Sequence, residues 1–77
     1  MVYAFVMAKT EAGSSEAVLE EILAMDAVVD AHVVAGEWDV IAEVDAGEVQ
    51  DVLGASSSGI QALENVVDTK TYISMSA

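Results

Sequence analysis

The chain has 77 residues, 55% of them hydrophobic, and sets fourteen Asp and Glu against two Lys for a formal net charge of −12. So acidic a surface repels phosphate backbones and anionic membrane faces, which excludes direct nucleic-acid binding from the expectations. Without cysteine, neither a disulfide nor a thiolate-held metal can staple so short a chain.

Val2 to Ala8 is apolar on both faces and reads as a central strand. The first five residues lack the basic stretch of a signal peptide, and no run approaches the ~18 apolar residues of a membrane span, so a cytoplasmic protein is expected. Thr10 to Ser15 is a polar loop around Gly13. Ser14 or Ser15 can cap the helix that follows by accepting a backbone N–H bond, and Glu16 complements the positive helix end. Val18, Leu19, Ile22, Leu23 and Met25 recur at helical spacing, while Glu16, Glu20 and Glu21 lie elsewhere on the wheel. Met25 reads as a core filler.

Ala27 to Ala35 is rich in β-branched residues and short enough for a strand. Ala35-Gly36-Glu37-Trp38 interrupts it, and Gly36 can supply φ > 0 in a tight connection. From Asp39 the chain alternates: Asp39, Ile41, Glu43 and Asp45 on one side, Val40, Ala42 and Val44 on the other. That is a strand with one apolar face, and the two runs form a hairpin. Asp45 opens a second helix, with Glu48 three residues on as a variant capping box, and Val49, Val52, Leu53 and Ile60 keep a helical stripe. Gly54, Ser56, Ser57, Ser58 and Gly59 disfavour helix, so propensity alone ends it near Ser56. The last strand runs from about Val66 to Met75.

Strand, helix, strand, strand, helix, strand with right-handed crossovers is an α+β fold. It is a ferredoxin-like βαββαβ domain over residues 1–77, with a four-stranded antiparallel sheet in order 4-1-3-2 and both helices on one face. If Val40, Ala42 and Val44 face the helices, the free face carries His32, Asp39, Ile41 and Glu43 and invites a second sheet. A chain this size buries only about 60–65% of its unfolded surface. With a mean hydropathy of +0.49, some apolar surface is expected to face another copy. The carboxylates are dispersed rather than blocked, as in proteins of molar salt, where the Debye length falls to about 3 Å; an ordinary acidic protein is the second reading.

Ala31-His32-Val33-Val34, then Gly36, then Trp38-Asp39-Val40-Ile41-Ala42 resembles the central hairpin of the effector-binding domain of Lrp/AsnC-type regulators. That family shows Gly-x-aromatic-Asp before a valine-rich strand, with Trp38 here where Tyr is commoner. Met7-Ala8-Lys9-Thr10-Glu11 with Gly13 resembles the end of the family's first strand, and Ile60, Leu63, Val66, Thr69 and Thr71 its last helix-to-strand passage. The resemblance covers nearly the whole chain and implies a haloarchaeal-like member without the usual DNA-binding domain. It also implies a second helix continuing to about Ala62; a flexible loop over a site at Ser56 to Gly59 is the other reading.

What the resemblance implies for function is a small-molecule pocket between subunits, homodimers or assemblies of dimers, and action through a protein partner such as a DNA-binding regulator. Asp39 matches the family's motif Asp and can pair with an ammonium group. The expected ligand site comprises Gly36, Glu37, Trp38 and Asp39 with Thr69 and Thr71, whose hydroxyls can donate to a carboxylate; an amino acid presents both groups. One His and no Cys give no metal-binding motif, and no catalytic residue or cofactor is expected. Two other readings stand beside this one. The first is a cofactor-independent, monooxygenase-like enzyme of the same fold using His32, Trp38 and Tyr72. The second is a purely structural assembly domain.

Overall fold

The computed structural model describes residues 2–76. The elements are β1 (Val2–Thr10), α1 (Ser15–Leu23), β2 (Val28–Val33), β3 (Val40–Ala46), α2 (Val49–Gly54) continued by a π-helical turn (Ala55–Ile60), and β4 (Val66–Ile73). The strands form one antiparallel sheet in order β2-β3-β1-β4, the same order as 4-1-3-2 read from the other edge. This is the expected ferredoxin-like topology.

Strand alternation decides what is buried. Ala4, Val6 and Ala8 of β1, Ala31 of β2, and Val40, Ala42 and Val44 of β3 face the helices. Val18 and Ile22 of α1, Val52 of α2 and Ile60 close over them. No aromatic ring enters this core among the described residues. Each fully buried Val or Ile contributes about 1.5–3 kcal/mol. On the opposite face the same alternation presents Tyr3, Phe5, Met7 and Lys9 from β1, flanked in register by Ile41, Glu43 and Asp45 on β3 and by Lys70 and Tyr72 on β4. Tyr3 and Phe5 pack edge to face at 5.6 Å. None of the described residues forms a layer over this face, and Phe5 and Tyr72 are 37% and 50% exposed.

Local details correct the sequence reading in four places. The hairpin connection is a six-residue stretch, 34–39, rather than a tight turn. Gly36 therefore does not use positive φ; among the described residues only Gly13 does, at 81°. Gly13 is the third residue of a turn closed by the Ser14 N–H donating to the Glu11 carbonyl at 3.0 Å, a position that needs φ > 0.

Neither serine caps α1 with its hydroxyl. Ser14 is the N-cap but has a near-helical backbone, φ −103° and ψ −1°, which does not aim its side chain at the free N–H groups.

Asp45 does not start a helix. It lies in β3, opposite Tyr3, and its N–H donates to the Ala27 carbonyl at 3.0 Å; Glu48 takes the N-cap place without a side-chain bond.

Finally, the serine-rich stretch is neither α-helix nor loop. It widens into a π-helical turn, with the Gln61 N–H reaching back to the Ser56 carbonyl at 2.7 Å. The widening keeps Val52, Ser56 and Ile60, spaced by four, on one inward face. Ser56 is buried, and its hydroxyl meets the Thr71 hydroxyl at 2.7 Å. Helical structure ends at Ile60, two residues before Ala62, and β4 ends at Ile73, two before Met75.

Candidate functional site

The 34–39 connection leaves the sheet at the far end of β1. Its two ends are tied down: the Val34 N–H donates to the Asp39 carbonyl at 2.8 Å, and the Asp39 N–H donates to the Ala8 carbonyl at 3.0 Å. Between these ties, the backbone N–H and C=O groups of Ala35, Gly36, Glu37 and Trp38 make no hydrogen bond with the described residues. The free N–H groups are the kind of main-chain donors that hold an anion. Gly36 and Glu37 are exposed, Trp38 and Asp39 half-buried. The Lys9 ammonium sits 5.8 Å from the centre of the Trp38 ring, a cation–π contact that fixes the ring against the sheet.

Asp39 also helps to hold the fold together. Its Oδ2 accepts the Thr10 backbone N–H at 2.8 Å and lies 3.4 Å from the Thr10 hydroxyl, which in turn is 3.2 Å from the Ser15 hydroxyl at the start of α1. The carboxylate thus ties β3 to the end of β1 while its second oxygen makes no hydrogen bond with the described residues. Gly36 plays no comparable part. A Cβ there would meet nothing within 4 Å, so the fold does not require glycine at that position.

Gly36, Glu37, Trp38 and Asp39 come together in this connection; the two threonines do not join them. Thr69 and Thr71 lie on the helix side of β4, in register with Ala8 and Val6, and Thr71 is bonded to Ser56. The residues of the enzyme reading also stay apart. His32 is on edge strand β2 and Tyr72 on the opposite edge strand β4, with β3 and β1 between them.

Two features emerge that were not apparent from the sequence. A cleft of about 760 Å³ lies at the other end of β1, lined by Val2, Tyr3, Val49, Ile73, Ser74, Met75 and Ser76. On the free sheet face, Asp30, His32 and Glu43 bring ligand-type atoms within 4.8 Å of one another. His32 Nε2 is 3.3 Å from Asp30 and 4.0 Å from Glu43. A bulge in β2 makes this possible: Val28 pairs with Val44 and Asp30 with Glu43, so Val29 is the extra residue and Asp30 turns to the face opposite Val28. Glu43 also accepts a hydrogen bond from the Tyr3 hydroxyl. That bond, with loss of water contact and the nearby carboxylates of Glu43, Asp45 and Asp30, raises the Tyr3 hydroxyl above its ordinary pKa.

Residues 3–77 match the family model of the Lrp/AsnC ligand binding domain. The chain belongs to this family. Among solved structures, the hypothetical protein PHS023 from Pyrococcus horikoshii is 34% identical, with 100% of this chain and 93% of that one covered and a TM-score of 0.90. TTHA0845 from Thermus thermophilus is 28% identical, with 100% and 96% covered and a TM-score of 0.94. The transcriptional regulator NMB0573 from Neisseria meningitidis, solved as a complex with L-Met, is 12% identical, with 97% and 50% covered and a TM-score of 0.84. That last likeness is one of fold alone, and this Lrp/AsnC domain spans about half of that regulator. The comparison with curated proteins gave no match. No helix among the described residues of the domain is long and apolar enough to cross a membrane.

Proposed function

We propose that this chain senses a small zwitterion of the amino-acid class, that its copies assemble through their free sheet faces, and that the bound state is relayed to a protein partner such as a DNA-binding regulator. The observation that carries the reading is the 34–39 connection. It combines free main-chain N–H groups at Ala35 to Trp38, a glycine whose missing Cβ nothing in the fold demands, and a carboxylate with one oxygen to spare. The N–H groups suit the ligand carboxylate and Asp39 its ammonium. Trp38 excludes water from one side, which strengthens both contacts. Thr69 and Thr71 face the helices of their own subunit, so the main chain takes the role foreseen for their hydroxyls. A regulator of the same fold was solved with L-Met bound, which supports this ligand class. The exposed connection lies at the rim of the free face, where a neighbouring copy can close the pocket.

Calorimetric titration of the assembled protein against the common amino acids tests the reading. Asp39→Asn retains an oxygen for Thr10 but removes the charge, and should weaken binding roughly 10- to 100-fold, the worth of a charge-assisted bond. Gly36→Ala should leave the melting temperature unchanged and still weaken binding, because only the ligand needs the space. If no amino acid binds, the sensor reading yields to a purely structural one; if both variants bind as well as the parent, the site is elsewhere.

A further inference from the structure

Three side chains of two neighbouring strands converge on the free sheet face. Asp30 and His32 stand two apart on β2, so alternation puts both on one face, and Glu43 lies across from Asp30 on β3. Each carboxylate is anchored through one oxygen and offers the other. Asp30 Oδ1 accepts the Ala31 N–H at 2.9 Å, and Asp30 Oδ2 lies 3.3 Å from His32 Nε2. Glu43 Oε1 accepts the Tyr3 O–H, and Glu43 Oε2 lies 4.0 Å from the same nitrogen. Ligand-type atoms of all three residues fall within 4.8 Å of one another. Among the described residues neither carboxylate has a lysine within ion-pair distance; Lys9 and Lys70 lie instead over Trp38 and Tyr72. Two carboxylates brought together in a chain of net charge −12 repel each other unless a cation stands between them.

We propose that Asp30, His32 and Glu43 bind one divalent transition-metal cation of the zinc class. Donor chemistry selects the class: an imidazole with carboxylates suits Zn²⁺ and its neighbours, whereas Mg²⁺ and Ca²⁺ take oxygen ligands. Around zinc, bonds of about 2.0–2.2 Å put neighbouring ligand atoms roughly 3–3.5 Å apart. The side chains of His32 and Asp30 are more than half exposed, so small rotations bring the set to that spacing. A solvated His–Asp pair needs no third group. Here Glu43 is added, and Tyr3 holds it from outside the set, as outer-shell donors orient metal ligands. Three protein ligands leave a coordination position open to water or to a further ligand. The ion clamps edge strand β2 to β3 beside the bulge at Val29, where the ladder is interrupted. The set shares no residue with the 34–39 connection, so it stands or falls apart from the zwitterion site. Its ligands come from two strands, which is why no spacing motif marks it in the sequence.

Calorimetric titration of the EDTA-treated full chain with ZnCl₂ tests this, with NMR of the imidazole alongside. One Zn²⁺ should bind per chain, and a large excess of Mg²⁺ should not displace it. His32 is the one imidazole of the chain, so its ring resonances report the site directly and should shift until one equivalent is bound. Tyr3→Phe frees Glu43 and should weaken binding roughly tenfold, the usual worth of an outer-shell partner; His32→Ala removes a ligand and should weaken it further. Circular dichroism confirms that the variants fold, and Glu43→Gln replaces Tyr3→Phe should the latter not fold. Binding that leaves the imidazole resonances unmoved, or that His32→Ala retains in full, means that scattered carboxylates hold the ion, and overturns the site. Displacement by Mg²⁺, or no binding at millimolar Zn²⁺, overturns it as well. Parental affinity in Tyr3→Phe overturns the positioning role of Tyr3.

Discussion

The two faces of β1 are built on opposite rules. Ala4, Val6 and Ala8 point to the helices and are wholly buried, whereas Tyr3, Phe5 and Met7 point away from them. The largest apolar side chains of the strand therefore face outward, and three of the four aromatic residues, Tyr3, Phe5 and Tyr72, share that outer face, with Trp38 at its rim. A monomeric domain gains most by doing the reverse, since aromatic rings bury more area than any other side chain. Small residues inside let the helices sit close to the sheet. Large ones outside make sense when another protein surface receives them. The inner face holds one copy of the domain together, and the outer face is suited to holding copies to each other.

The comparison can be broken from either side. Ile41→Lys places a charge in the middle of the outer face, where burial without a partner costs about 3–5 kcal/mol; it should yield monomers that keep the parental circular dichroism. Ile22→Ala empties the inner face and should cost about 2–5 kcal/mol of folding stability while the folded fraction stays assembled. Equal effects of the two substitutions on mass and on melting would mean that the faces are not separate in function.

Salt should have the next largest effect. Fourteen carboxylates on a small body repel one another, and pairing copies compounds the repulsion; molar KCl screens both. Melting temperatures should rise by roughly 4–8 °C for each kcal/mol regained. A melt indifferent to salt would contradict adaptation to molar salt.

The smallest effect belongs to Tyr3. Its hydroxyl pKa is raised by the Glu43 bond, so the folded state holds this proton more tightly than the unfolded state does. The associated stability is fully present at neutral pH and is lost as pH climbs through the raised value. Tyr3→Phe should therefore melt at slightly lower temperature than the parent near neutrality, with the gap closing in strong alkali. A constant gap would assign the loss to packing rather than to the bond.

The sequence exposed the features that depend on local periodicity. Alternation over Asp39 to Asp45 put Val40, Ala42 and Val44 on one face, the one the helices cover, and element order with crossover handedness was enough for the sheet order. Features set by long-range register stayed hidden. Asp30 reaches Glu43 only because β2 bulges at Val29, and nothing in the two residues flanking Val29 signals a bulge. Asp45 and Glu48 imitate a capping box, but pairing with β1 and the bond to Ala27 hold Asp45 in the strand. Thr69 and Thr71 could have faced either way until the pairing of β4 with β1 fixed them. The π-helical turn runs against the propensities of Gly54 and the serines, and tertiary packing of Ser56 on Thr71 and Ile60 on the core outweighs them. At the candidate site, the motif Asp39 was legible, but its bond to Thr10 was not, because residues 29 apart in sequence meet only through the sheet.

The central claim is that the aromatic outer face is covered by another copy when the protein works. Multi-angle light scattering on the parent chain at micromolar concentration in molar KCl tests it most directly. Twice the chain mass of 8.0 kDa, or an even multiple of it, is the expected result. A folded species at 8.0 kDa, stable on dilution and with Phe5 and Tyr72 open to solvent, would contradict the claim.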